Sequence, residues 1–150
     1  MKGAASSAIF LALVVGGGLA IGALTAPGEW YAELNKPTFT PPGWVFGPAW
    51  LMIHVCIAVA GWLVWRRDHG GWAMKLWSLQ LALNFLWSPT FFAAHWIELA
   101  LALIVALLAT IFGFIAASWR TQRHAALLFA PYAAWVAFAT ALNAQIVALN

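Results

Sequence analysis

The stretch LALALIVALLATIFGFIAASW, residues 99–119, runs for 21 residues without an Asp, Glu, Lys or Arg. At a helical rise of about 1.5 Å per residue it reaches ~30 Å, the thickness of a bilayer's hydrocarbon core. The pattern repeats outward from there. Residues 3–28, 37–65, 76–97 and 124–150 are equally free of charge, over 26, 29, 22 and 27 residues. Of the 150 residues, 65% are hydrophobic and 7% charged, whereas a soluble domain carries about 25% charged residues. Five windows of spanning length predict an all-α membrane protein. The expected fold is a five transmembrane helix bundle forming a single domain over 1–150. Its helices are placed at about 5–26, 44–66, 72–93, 97–119 and 125–148, with a lid loop over 27–43. A β-barrel is not expected, because its strands alternate polar and apolar residues over about ten positions, whereas these runs are continuous.

Lys2 followed by an apolar run, with Ala23 and Ala26 as small residues before a cleavage point, has features of a signal peptide. The run is long for that role, and Gly18 and Gly22 form a GxxxG pair suited to close helix packing. The first window is therefore expected to be a retained helix. With five spans, one side carries Lys2, Arg66, Arg67, Lys75, Arg120 and Arg123, and the other only Lys36. By the positive-inside rule, the N-terminus and the basic loops face the cytoplasm if the chain lies in a plasma membrane. That asymmetry accounts for the net charge of +3. No basic stripe with interleaved aromatics suggests nucleic acid. One cysteine, Cys56, excludes an internal disulfide and a cysteine metal cluster.

Between the first two windows stands WYAELNKPTFTPPGWVF, residues 30–46, with three prolines and five aromatic rings. Pro37, Pro41 and Pro42 fix the backbone and keep the flanking helices from joining. Tryptophan is abundant throughout, at eleven residues. Interface anchoring explains Trp62, Trp65, Trp72, Trp77 and Trp119 near the basic ends, and Trp30, Trp44 and Trp96 near the others. Trp50, Trp87 and Trp135 fall at membrane depth, where a belt does not explain them. Each has neighbours on one helical face. These are Phe46, Trp50 and His54; then Gln80, Asn84, Trp87 and Phe91; then Trp135, Ala139, Leu142 and Asn143. Polar residues at this depth usually face the bundle interior or a cavity. Interhelical bonding is the plainer role for any one of them, but three such stripes describe the wall of an apolar pocket with a few orienting polar groups.

The residues that carry these stripes resemble the TspO/MBR family, the tryptophan-rich sensory proteins that include the mitochondrial translocator protein. WYAELNKPTFTPPGWVFGPAW (30–50) matches the family's first loop and second helix. QLALNFLWSPTFF (80–92) matches its third helix, and LLFAPYAAWVAFATALN (127–143) its fifth. The resemblance implies a five-helix bundle, commonly a homodimer, with a pocket closed by the first loop. It implies that the ligand is porphyrin or haem and that isoquinoline or benzodiazepine-type compounds can bind. Carried onto this chain, the pocket comprises Trp30, Trp44, Phe46, Trp50, Asn84, Trp87, Trp135, Phe138, Ala139, Leu142 and Asn143. His54 and Phe91 join it from the stripes above.

Two positions depart from the family. His54 stands where relatives usually have Tyr, so an imidazole able to ligate haem iron replaces a phenol. Packing is the commoner role of a buried His, and no metal site or cofactor is assigned. After Leu142 there is no Tyr, Lys or Arg, which places the sterol motif of animal relatives in doubt. Three functions compete. A tetrapyrrole receptor or sensor fits the pocket. A porphyrin transporter or exporter coupled to protons would be expected to carry intramembrane charges, and the windows hold none, whereas facilitated release requires none. The resemblance also implies light-dependent porphyrin degradation, which it would assign to Trp50 and Trp135 as redox-active rings. Nothing forms a nucleophile–base pair, so catalytic residues are otherwise none.

Overall fold

Every charge-free window contributes a helix, although residues 37–42 of the second stay non-helical. In the computed structural model, which describes residues 2–150, all regular structure among the described residues is helical. Helix α1 spans Lys2–Leu24, with a wider π turn at Ala12–Gly16. A short helix, α2 (Glu29–Glu33), sits inside the proline-rich loop. A single 3-10 turn, Gly43–Val45, then leads into α3 (Phe46–Arg67). Helix α4 (Trp72–Ser88) continues as a π segment, Pro89–Ala93. Pro89 has no N–H to return to the preceding turn, and the ladder resumes one residue wider, with Ala94 N–H bonding Pro89 O at 2.9 Å. Helix α5 spans Ile97–Ser118. The last window is split by a bond pattern change at Phe129 into α6 (Arg123–Leu128) and α7 (Ala130–Leu149).

Four of these stretches among the described residues are long and apolar enough to cross a membrane: Lys2–Leu24, Gly43–Arg67, Ile97–Ser118 and Arg123–Leu149. The segment expected as a span over 72–93 is helical but is not one of the four. Its α-helical part is 17 residues long and carries Lys75, Gln80 and Asn84. The polarity that points to a site there also lowers its hydropathy.

The packing is inside-out relative to a soluble protein. Ile9, Leu19, Leu24, Met52, Leu86 and Phe112 are exposed, while Gln80, Asn84, Thr110, Ser118 and Asn143 are buried. Such a surface suits hydrocarbon and needs internal partners for the polar groups. The solid core fills the basic half of the bundle, built from Ile57, Trp77, Ile111, Phe114, Phe129 and Tyr132. Phe114 and Phe129 lie 4.0 Å apart at their ring centres. Trp77 corrects a sequence expectation. It is not an interface anchor but a core residue, 3% exposed, donating its indole N–H to Ile57 O at 2.9 Å. Gly61 makes room for it, since a Cβ there would collide with the indole. Trp72, by contrast, is 74% exposed, as an anchor should be.

Helix alternation brings Lys2, Arg66, Arg67, Lys75, Arg120 and Arg123 to one end and leaves Lys36 at the other. Contacts across the basic end fix this, including Trp62 Nε1–H to Ser6 Oγ at 3.0 Å. At the opposite end the helices enclose space.

Candidate ligand cavity

The non-basic half of the bundle contains a cavity of about 750 Å³, within the range that small-molecule sites occupy. Helix α1 and its C-cap contribute Gly18, Ile21, Gly22 and Thr25, α3 contributes Phe46, Trp50 and His54, and α4 with its π segment contributes Asn84, Phe85, Trp87 and Phe91. Ile104 and Leu107 of α5, and Trp135, Ala139, Leu142 and Asn143 of α7, complete the wall. Tyr31, Lys36, Thr40 and Pro41 of the loop lie at the mouth.

The aromatic groups form a connected wall. Trp50 and Trp135 meet edge to face at 6.4 Å and 89°, and Phe46 meets Trp135 at 5.7 Å. Trp87 stacks on Phe91 at 5.3 Å. Trp50 also stacks on His54 at 5.6 Å. These are the offset and tilted geometries that aromatic quadrupoles favour.

Polar groups behind the wall are tied together. Asn84 Nδ2 donates to Tyr132 Oη at 2.8 Å, and Tyr132 donates to Gln80 Oε1 at 2.9 Å. With the Asn84 amide assigned that way, its Oδ1 faces His54 Nε2 at 3.5 Å. Nearer the mouth, Trp87 Nε1–H donates to Asn143 Oδ1 at 3.1 Å, and Asn143 Nδ2 donates to Ile97 O at 3.0 Å. The second bond anchors α7 to the start of α5. Among the described residues two donors are left over: Gln80 Nε2 and the Trp135 indole N–H are buried without a partner. No cluster of three or more metal-ligating side chains gathers among the described residues, so His54 is a single imidazole in an apolar wall.

The loop packs beside the mouth through rings and one lysine. Trp30 stacks flat on His95 at 3.9 Å and meets Phe91 edge-on at 5.9 Å. Tyr31 leans on Phe91 and Phe92, and burial holds its hydroxyl above the usual phenol range. His95 holds a left-handed backbone angle, φ 60°, uncommon for a residue other than glycine. That angle turns the chain sharply between the π segment and α5, where His95 receives Trp30. Lys36 Nζ donates to the carbonyls of Tyr31, Ala32 and Leu34 at 2.7, 3.2 and 3.1 Å. It thus caps the end of α2 and lies over the Tyr31 ring at 4.7 Å.

Of the thirteen residues that the sequence suggests, ten line the cavity: Phe46, Trp50, His54, Asn84, Trp87, Phe91, Trp135, Ala139, Leu142 and Asn143. Three do not. Trp30 packs outside it on Phe91 and His95, Trp44 is 75% exposed, and Phe138 sits between Phe39 and Trp135.

Across residues 8–149 the chain matches the sequence model of the TspO/MBR family. The chain belongs to that family. It is 36% identical to a tryptophan-rich sensory protein of Cereibacter sphaeroides, over 86% of this chain and 82% of that protein. The tryptophan-rich protein TspO of Archaeoglobus fulgidus is 39% identical over 81% of this chain and 80% of its own. The human translocator protein is 37% identical, covering 77% and 71% respectively. These relatives carry the names of sensory and translocator proteins, not of enzymes. In this TspO/MBR chain the wall that sequence reasoning missed is α1. A Cβ on Gly18 would lie 2.5 Å from His54 Cε1, and one on Gly17 would lie 2.8 Å from Phe85 Cζ. The GxxxG signal was present in the sequence, but Gly18 serves a contact within one chain.

Proposed function

We propose that this chain is an integral membrane tetrapyrrole receptor or sensor of the TspO type, binding porphyrin or haem in the cavity under the first loop. In this reading the whole chain forms one five-helix transmembrane domain, with 72–93 as the third span despite its polarity. It lies in a bacterial membrane with its basic end toward the cytoplasm, and it pairs as a homodimer. The observation that carries the proposal is the composition of the cavity wall. Trp50, Trp135, Phe46, Trp87 and Phe91 surround about 750 Å³, with Asn84, His54 and Asn143 as the orienting polar groups. A flat aromatic ring gains stacking and apolar burial there. Its carboxylates stay at the mouth, because burying them deeper without partners is costly. Lys36 supplies positive charge at that mouth, although carbonyl groups already occupy its donors.

Protoporphyrin bound among these rings will quench tryptophan fluorescence, which allows direct titration. Trp135→Leu is expected to weaken binding roughly tenfold, or about 1.4 kcal/mol. Trp62→Leu, at the basic end, is expected to leave it unchanged. Unaltered titrations for both Trp135→Leu and Trp50→Leu would remove the cavity from consideration. The edge-to-face pair of Trp50 and Trp135 supports a second reading, light-dependent porphyrin degradation. Degradation products that appear in light but not in darkness, and disappear in Trp135→Leu, would favour it.

A further inference from the structure

The basic end of the bundle holds a second cleft, unrelated to the cavity. It encloses about 490 Å³ between the end of α3, the start of α4 and the end of α5. Its lining is amphipathic. Val64, Ala73 and Ala117 form an apolar part, while Arg67, Asp68, Thr121 and Gln122 are polar, and Trp72 stands beside them. Trp72 and Trp119 place this level at the membrane interface.

Arg67 is the informative residue. Three neighbouring cations are folded back over rings: Arg66 on Trp62 at 4.8 Å, Lys75 on Trp72 at 4.8 Å and Arg123 on Trp119 at 5.0 Å. Arg67 is not held in this way. Asp68, next in sequence, is turned into its own loop. Its Oδ1 accepts the Gly70 N–H at 3.2 Å, and its other oxygen packs where a side chain at Gly71 would stand. Arg67 therefore lines the cleft without a carboxylate paired to it among the described residues. The first turn of α4 (Gly71, Trp72 and Ala73) also lines it.

We infer that this cleft binds the headgroup of an anionic phospholipid, with the phosphate on Arg67 and the upper acyl stem along Val64, Ala73 and Ala117. Guanidinium and phosphate form charge-assisted paired bonds, and basic pockets between membrane helices suit such headgroups. The Asp68 carboxylate repels a bare phosphate monoester but accepts from a headgroup hydroxyl. The fitting chemistry is thus a phosphodiester carrying a hydroxyl, as in phosphatidylglycerol.

The test uses the full chain in bilayer discs of phosphatidylcholine doped with phosphatidylglycerol or phosphatidic acid, with retained lipid counted by native mass spectrometry. The wild type is expected to retain phosphatidylglycerol in preference to both other lipids. Arg67→Gln should reduce that retention about tenfold, while Arg120→Gln, outside the cleft, should not. Asp68→Asn keeps an acceptor for the Gly70 N–H and should narrow the preference over phosphatidic acid. Equal losses in Arg67→Gln and Arg120→Gln would overturn the site in favour of diffuse surface charge. Displacement of the lipid by millimolar inorganic phosphate would overturn the lipid assignment in favour of a free phosphate.

Discussion

Gly18 and Gly22 are equivalent in sequence, four residues apart on one face of α1, but the structure separates them sharply. A methyl group on Gly18 would sit 2.5 Å from His54 Cε1 and 2.6 Å from Nδ1, whereas a methyl on Gly22 would meet nothing within 4 Å. Ordinary contact requires roughly 1 Å more than Gly18 offers, so the imidazole or the helix must move by about that amount. The imidazole has little freedom, being stacked on Trp50 and facing Asn84. Overpacking of this kind costs about 1–3 kcal/mol. Replacing a helical glycine returns about 0.5–1 kcal/mol. Gly18→Ala should therefore destabilise by about 1 kcal/mol, and Gly22→Ala should stabilise by about 0.5–1 kcal/mol. Denaturant-induced unfolding of both variants in one detergent, followed by tryptophan emission, measures the difference. Porphyrin affinity should fall in Gly18→Ala through the displaced His54, which borders the cavity. Equal effects, or greater damage from Gly22→Ala, would refute the reasoning. The second outcome would place Gly22 against another copy of the chain.

Tyr132→Phe removes the group that joins Asn84 to Gln80, leaving the buried Gln80 amide with no partner. A loss of about 2 kcal/mol is expected in the same unfolding assay, and a neutral result would mean that the network is not formed. Lys36→Met strips the cap from α2 and should speed protease cleavage within residues 27–43. Bound porphyrin should slow that cleavage in the wild type, and equal rates with and without ligand would discard the lid. The proposed homodimer predicts a concentration-dependent dimer in native-like bilayers, and a monomer at every concentration would count against it.

What the sequence made legible follows from which residues carry distinctive chemistry. Gaps between charges located the apolar helices, because no charge can be left in hydrocarbon cheaply. The α4 window was found the same way, yet Gln80 and Asn84 keep it from reading as a membrane span on hydropathy. The aromatic and amide stripes of α3, α4 and α7 pointed at the cavity because a polar group at depth needs a reason. Ile104 and Leu107 gave no such sign, being apolar residues among apolar residues. Trp77 misled because position near a helix end cannot distinguish an anchor from a core ring; only Gly61 opposite, far away in sequence, makes the difference. Trp30 and Phe138 were close, but each is turned one layer away from the cavity by a ring partner, His95 and Phe39 respectively. Tyr132 was overlooked although it lies three residues before Trp135, because its hydroxyl serves the layer behind the wall.

Helix α1 has only 6% of its span buried, and the residues that seat its upper half, His54 and Phe85, come later in the chain. During synthesis the first helix therefore enters the bilayer before its seats exist. It must remain as an independent span, stable in lipid because its own backbone is satisfied, until the third window has been made. The first segment to be translated therefore acquires its seats only with the second and third windows, His54 from one and Phe85 from the other.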